Sequence, residues 1–130
     1  GLTLTGVGLG GTTFGTGTGV RATGNGALGA ALDVRDGALR VSGSTRTAFQ
    51  HTAIVANISG YATTIDHPLT NGDPNAMLFI THVYNTGATV YDPNPTSVWY
   101  DPSISRWRVY HDNFVAMTVN TRFNVLVIKQ

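Results

Sequence analysis

The strongest strand signal of the chain lies near its middle. Residues 76–84, AMLFITHVY, are largely apolar, partly β-branched and free of Gly and Pro. The residues in front of this run, Asn71-Gly72 and Asp73-Pro74, are typical of turns, because Gly accepts a positive φ and Pro restricts the residue before it. The pattern therefore predicts a turn that leads into a buried central strand over 76–84.

Shorter apolar runs on both sides of this strand predict an antiparallel sheet protein. They are separated by stretches rich in Gly, Pro, Asn and Asp, and no stretch shows the periodicity of a long amphipathic helix. We therefore predict an all-β fold in which 46–130 forms an antiparallel, jelly-roll-like β-sandwich tip. The predicted strands are 49–58, 76–84, 96–100, 106–111, 114–119 and 123–129.

The first third of the chain has a different composition. Thirteen of the 16 glycines lie within residues 1–43, whereas eleven of the twelve aromatic residues lie at Phe49 or beyond. Alternating runs around Asp36-Gly37 predict a β-hairpin, and Leu2–Thr5 alternates like a half-buried strand. Such a Gly-rich segment buries too little side chain to fold alone, so it is either a linker or a shaft shared with other chains. We predict that 1–45 is a shaft and oligomerisation segment.

Charge and cysteine content exclude several classes of protein. The chain carries eight Lys or Arg and seven Asp, has no Glu, and has no basic stripe of the kind that nucleic-acid binding requires. No apolar run approaches the length of a membrane span, so membrane insertion is not expected. Cysteine is absent, which excludes disulfides and thiolate metal sites. No phosphate-binding loop is present, and no cofactor is predicted.

Aromatic residues occur beside Asn and Asp in the predicted loops of the C-terminal region. Carbohydrate sites commonly combine an aromatic ring, which stacks on the sugar, with polar groups that bind its hydroxyls. The alternative is that Trp99 and Trp107 are core residues around a tight turn. Trp99 and its neighbour Tyr100 face opposite sides of a strand, so at least one of them points away from the core. The candidate ligand-binding residues are Tyr84, Tyr91, Asp92, Asn94, Trp99, Asp101, Trp107 and Asn113.

The titratable residues do not indicate catalysis. The histidines, at positions 51, 67, 82 and 111, lack the spacing of a shared metal site, so we expect structural roles for them and no bound metal. The alternative is an ion held by symmetry-related histidines around a threefold axis. A glycosidase needs two carboxylates at a defined separation, which Asp66 with Asp101 or Asp112 would have to supply. Asp101 precedes Pro, however, and is first a turn former. We therefore predict no catalytic residues and a protein that is not an enzyme.

Two parts of the sequence resemble known surface proteins. The Gly-rich run that ends in ALDVRDGALRVSG, residues 31–43, resembles the shaft-to-tip segments of trimeric fibre-like proteins of bacteriophages and bacterial surfaces. The segment DHPLTNGDPNAMLFI, 66–80, with VWYD at 98–101, RW at 106–107 and FNVLV at 123–127, is similar to a β-rich module of unassigned function. That module recurs in large repetitive bacterial proteins.

The resemblance implies an extracellular location, on a virion tail fibre or a bacterial cell surface. It also implies a homotrimer whose tip is an adhesin for a cell-surface receptor, either a glycan or a protein. A structural alternative is a filament subunit that polymerises when Leu2–Thr5 joins a neighbour's sheet by strand addition. A polysaccharide-degrading tip is a third possibility and would require two Asp residues that converge in a cleft.

Overall fold

The computed structural model describes residues 32–34, 37–85 and 90–130. The chain divides into two units, Gly1–Leu39 and Arg40–Gln130. In the first unit, the described residues are exposed and form no strand.

The predictions made for the N-terminal third fall mostly outside the described residues. The Leu2–Thr5 strand lies outside them entirely, as do residues 1–31 of the predicted 1–45 shaft and Arg35 and Asp36 of the predicted hairpin. The described part of that hairpin, 32–34 and 37–41, contains no strand. Strand pairing around Asp36-Gly37 is therefore not seen in the part that the structure describes.

Arg40–Gln130 is an all-β unit built from two antiparallel sheets. Sheet A has three strands in the order β1-β7-β4, and sheet B has four in the order β2-β3-β6-β5. This arrangement is consistent with the predicted β-sandwich. No helix in the described residues is long and apolar enough to cross a membrane. The strands are β1 (Ala48–Thr52), β2 (Ile58–Ser59), β3 (Ala62–Thr64), β4 (Met77–Val83), β5 (Thr96–Asp101), β6 (Arg106–His111) and β7 (Arg122–Ile128).

The core is centred on β7, on which every second side chain is buried. Phe123, Val125 and Val127 are almost completely inaccessible, whereas Leu126 and Ile128 between and beyond them are exposed. This alternation is the two-residue period of a strand with one covered face. The remaining buried members of the core are Ala53, Ile65, Ala76, Val109 and Met117.

The strand predicted to be central, β4, lies at the edge of sheet A among the described residues. The central position belongs to β7, which pairs with β1 on one side and β4 on the other. Leu78 and Ile80 of β4 pack against the core, but Met77 and Phe79 on its other face are 39% and 58% exposed. The prediction was wrong because an apolar run normally indicates burial on both faces, whereas the second face of β4 is open.

Two further predicted strands differ from the structure. The first ends at Thr52 instead of residue 58, because the chain turns at Val55–Asn57, and the short strands β2 and β3 follow. Residues 114–119 form no strand. Phe114 adopts a left-handed backbone conformation with φ of 60°, which interrupts the extended chain after His111.

The predicted turn at Asn71-Gly72 is confirmed and supplies a test of backbone strain. Gly72 has a φ of +71°, and a Cβ there would meet no atom within 4 Å. Gly72→Ala is therefore expected to destabilise the domain by about 1 kcal/mol through the left-handed conformation alone. Gly72→Asn should cost less, because Asn tolerates this conformation. Urea unfolding of both variants checks this prediction, and equal losses would show that the backbone conformation is not the cause.

Candidate functional site

The outer face of sheet B gathers exposed aromatic side chains around an arginine. Along β6, Val109 is buried in the core, so Arg108 and Tyr110 on either side of it point outward. The register places Trp99 of β5 opposite Arg108 and Ser97 opposite Tyr110. Two residues outside β5 and β6 also contribute to this surface. We call it the aromatic face, and it comprises Tyr61, Trp99, Arg108, Tyr110 and Phe114.

The rings of the aromatic face enclose a shallow recess. Tyr61, Trp99 and Tyr110 line a volume of about 230 Å³. Trp99 is 44% exposed, which is high for a tryptophan in the middle of a strand. Tyr61 contacts Tyr110 edge-on, with ring centroids 6.4 Å apart, and Phe114 also edge-on at 5.0 Å. The left-handed backbone of Phe114 is rare for a bulky residue, and it holds that ring against Tyr61.

Arg108 is fixed beside the Trp99 ring by an acidic neighbour. Its guanidinium carbon lies 5.9 Å from the Trp99 ring centroid, within the range of a cation–π contact. Its Nη1 donates to Asp101 Oδ2 at 3.3 Å. A hydrogen bond from the Ser103 hydroxyl, with the Arg108 charge, lowers the pKa of Asp101 although burial opposes this. Asp101 is therefore ionised at neutral pH and positions Arg108, whose buried Nε has no hydrogen-bond partner.

Two of the eight predicted site residues, Trp99 and Asp101, belong to this face or support it. Tyr84 and Tyr91 are both exposed and pair edge to face with each other, with ring centroids 5.4 Å apart. Trp107 is placed on the core side of β6, where its indole Nε1 donates to the backbone oxygen of Asp73 at 2.9 Å. The structure thus gives Trp107 a role in packing, the alternative raised by the sequence.

The remaining three predicted residues form a hydrogen-bonded network in the loops. Asp92 is only 6% exposed, and its Oδ1 accepts from the Asn94 backbone N at 3.1 Å and side chain Nδ2 at 2.6 Å. Its Oδ2 accepts from the Thr121 hydroxyl at 3.3 Å. Asn113 Nδ2 donates to Asn94 Oδ1 at 2.8 Å. These polar groups are occupied by one another, so they stabilise the loops.

A buried histidine completes this network. His111 Nδ1 donates to the Val115 backbone oxygen at 2.8 Å, because a carbonyl can only accept. Its Nε2 lies 3.1 Å from Asp92 Oδ2, a close electrostatic contact that lacks the geometry of a hydrogen bond. Burial raises the pKa of Asp92, but the hydrogen bonds from Asn94 and the proximity of His111 outweigh burial and lower it. The acidic partner of His111 is therefore Asp92 and not its sequence neighbour Asp112.

The sequence interpretation did not find the role of four members of the aromatic face: Tyr61, Arg108, Tyr110 and Phe114. The alternation of Arg108 and Tyr110 about Val109 was a usable signal, since both had to share one face of the predicted strand. Tyr61 gave no such signal, because it precedes β3, which is too short to be recognised from its pattern.

The acidic and histidine side chains do not assemble into a metal site in the described ranges. No group of three or more His or Asp residues there is arranged to hold an ion. His51 instead hydrogen-bonds to Thr63, and the His67 ring stacks on Phe49 with centroids 4.0 Å apart.

The fold and the aromatic face define a class of small all-β domain, in which two antiparallel sheets present an arginine and aromatic rings on one outer surface. The chain belongs to the family described as "Domain of unknown function (DUF7452)", whose model matches residues 30–127. The match includes all seven strands except the last residue of β7. No curated protein and no solved structure matches the chain.

Proposed function

We propose that this domain is a non-enzymatic attachment module that binds a cell-surface glycan on its aromatic face. The observation that carries the proposal is the half-exposed Trp99 ring beside a fixed arginine, at the edge of a recess lined by two tyrosines. Aromatic rings are the usual platform for the apolar face of a sugar, and a few polar groups then fix its orientation.

The arrangement supports recognition of a neutral sugar ring. The C–H surface of the sugar stacks on Trp99. The Arg108 Nη atoms, which already donate to Asp101 and to the Ser59 backbone oxygen, use their remaining hydrogens for the sugar hydroxyls. Asp101 already neutralises the Arg108 charge, so the face does not offer an unpaired cation to an acidic ligand. Tyr61 and Tyr110 enclose the opposite side of the recess.

The proposed setting is extracellular, at the tip of a phage tail fibre or on a bacterial surface, with the chain assembled as a homotrimer. This part of the proposal is supported by the fibre-like resemblance of residues 31–43 and by the lack of cysteine, which leaves packing and association as sources of stability. A protein receptor is the alternative ligand. A filament subunit built by strand addition is the alternative function, and it gives the aromatic face no role.

Glycan-array binding followed by titration calorimetry tests the proposed ligand. Trp99→Ala is expected to lower the affinity for the best array ligand at least tenfold, which corresponds to a binding free energy of about 1.4 kcal/mol. Tyr91→Ala is the matched control, since it removes an exposed aromatic ring from a different surface and should bind as the unaltered protein does. Absence of any array ligand, or equal losses in the two variants, would contradict glycan binding at this face.

A further inference from the structure

The outer face of sheet A carries a compact group of exposed apolar side chains. The register sets Phe79 of β4 and Ala48 of β1 on either side of Leu126 of β7, and it sets Met77 opposite Ile128. Phe79 is 58% exposed and Leu126 and Ile128 are each 40% exposed. These side chains are neighbours on one surface, which we call the sheet A patch: Ala48, Met77, Phe79, Leu126 and Ile128.

A polar row borders the sheet A patch on one side. Gln50 Nε2 donates to Asn124 Oδ1 at 3.1 Å, and Asn124 Nδ2 donates to Thr81 Oγ1 at 3.4 Å. The register places these three residues side by side across β1, β7 and β4, next to the row of Phe79 and Leu126. An apolar centre with a polar rim is the usual anatomy of a protein–protein interface.

The place where the Arg40–Gln130 unit begins favours another copy of this chain as the partner that covers the sheet A patch. Val41 and Arg46 lie at the start of the Arg40–Gln130 unit and line a groove of about 560 Å³ together with Phe79 and Leu126. Copies that associate at this face therefore bring the starts of their units together. That geometry suits a Gly-rich segment that several chains share.

The outer face of sheet A is too small to form a stable interface by itself. β1 has 5 residues and β4 and β7 have 7 each, so the three strands cover roughly 310 Å² of flat surface, whereas a stable interface buries about 800 Å² on each partner. The contact must therefore extend beyond the sheet A patch into the groove at Val41 and Arg46. The patch itself carries no charged side chain, and among the described residues that line the groove Arg46 alone is charged, so apolar contact and not charge selects the partner.

We propose that the sheet A patch, with the groove beside it, is the surface through which copies of this chain associate. The inference rests on the self-association in the proposed function and is independent of its glycan ligand. The two functions are placed on opposite sheets: sheet A joins the copies, and sheet B presents the aromatic face outward. Several sugar sites then act together, which raises avidity without new contacts.

Light scattering after size-exclusion chromatography at several concentrations tests the inference. The unaltered chain is expected to have a mass of two or more copies, and Phe79→Arg to have the mass of one. Val55→Arg is the matched control, because Val55 is an exposed apolar residue on the turn between β1 and β2 and is not part of the sheet A patch, and it should keep the larger mass. Leu126→Lys provides a second outward-facing variant if Phe79→Arg does not fold by circular dichroism.

The outcomes separate this inference from glycan binding. A monomeric unaltered chain, or a folded Phe79→Arg variant that keeps the larger mass, overturns the inference and leaves the Trp99 experiment unaffected. A monomeric Phe79→Arg variant with unchanged affinity for each single glycan site supports the inference. If that monomer forms and no glycan binds, the association surface stands and the proposed ligand is wrong.

Discussion

Asp92→Ala is expected to destabilise the domain by about 3 kcal/mol, because it removes the acceptor on which a buried network depends. The substitution leaves the Asn94 backbone N and side chain and the buried Thr121 hydroxyl without their partner. It also leaves His111, which is completely inaccessible to solvent, without its acidic neighbour. Urea unfolding at pH 7 measures the loss.

Two variants control the Asp92 experiment. Asp112→Ala removes an exposed aspartate from the adjoining turn and should change stability by no more than about 0.5 kcal/mol. Asp92→Asn preserves one acceptor oxygen for Asn94 but loses the charge near His111. We therefore expect a loss of stability between those of Asp112→Ala and Asp92→Ala. If Asp92→Ala were as stable as Asp112→Ala, the network would be incidental and Asp92 would again be a candidate for ligand binding.

The stability of the domain is expected to fall by about 3 kcal/mol as the pH decreases from 6.5 to 4, owing mainly to His51. Burial lowers the pKa of His51 from 6.5 to about 4. Below pH 6.5 the unfolded chain therefore binds a proton at His51 that the folded chain does not bind, so unfolding becomes more favourable. The loss is complete once the pH has passed below the folded pKa.

The hydrogen bonds of His51 explain why its neutral form is retained in the fold. The Thr63 hydroxyl donates to Asn57 Oδ1 at 2.8 Å, so its oxygen accepts from His51 Nε2 at 2.9 Å. Both His51 and Thr63 are buried, and no described acidic group bonds to the ring to stabilise a charge.

Unfolding free energies of the unaltered chain and His51→Gln between pH 4 and 7.5 test this explanation. The variant is expected to be less stable at pH 7.5 but to show a much shallower dependence on pH. His67→Gln is the comparison. Burial and Arg46 also lower the pKa of His67, so this residue too makes the domain less stable as the pH falls. A His51→Gln curve parallel to that of the unaltered chain would assign the pH dependence to other groups.

The candidate site could be predicted only in part. Alternation places Trp99 and Tyr100 on opposite faces of one strand, and the structure confirms this. Trp99 points outward, while the Tyr100 ring lies on the core side, with its centroid 5.6 Å from that of Trp107. The sequence predicts ligand groups at the Asn and Asp residues of the loops, yet Asp92 is buried within its own network. A local pattern identifies polar residues but not whether their partners are other residues or a ligand.

The sequence alone determined the all-β class and four of the strand positions, since periodicity of two and turn residues such as Asn71-Gly72 act locally. It also determined that thiol chemistry has no part in this protein, because cysteine is absent. The tertiary structure decided which strand is central: β7 is flanked on both sides, whereas β4 leaves Phe79 open. The two surfaces that carry the proposals, the aromatic face and the sheet A patch, both depend on which strands become neighbours. That choice is made by long-range pairing and packing, which no local pattern encodes.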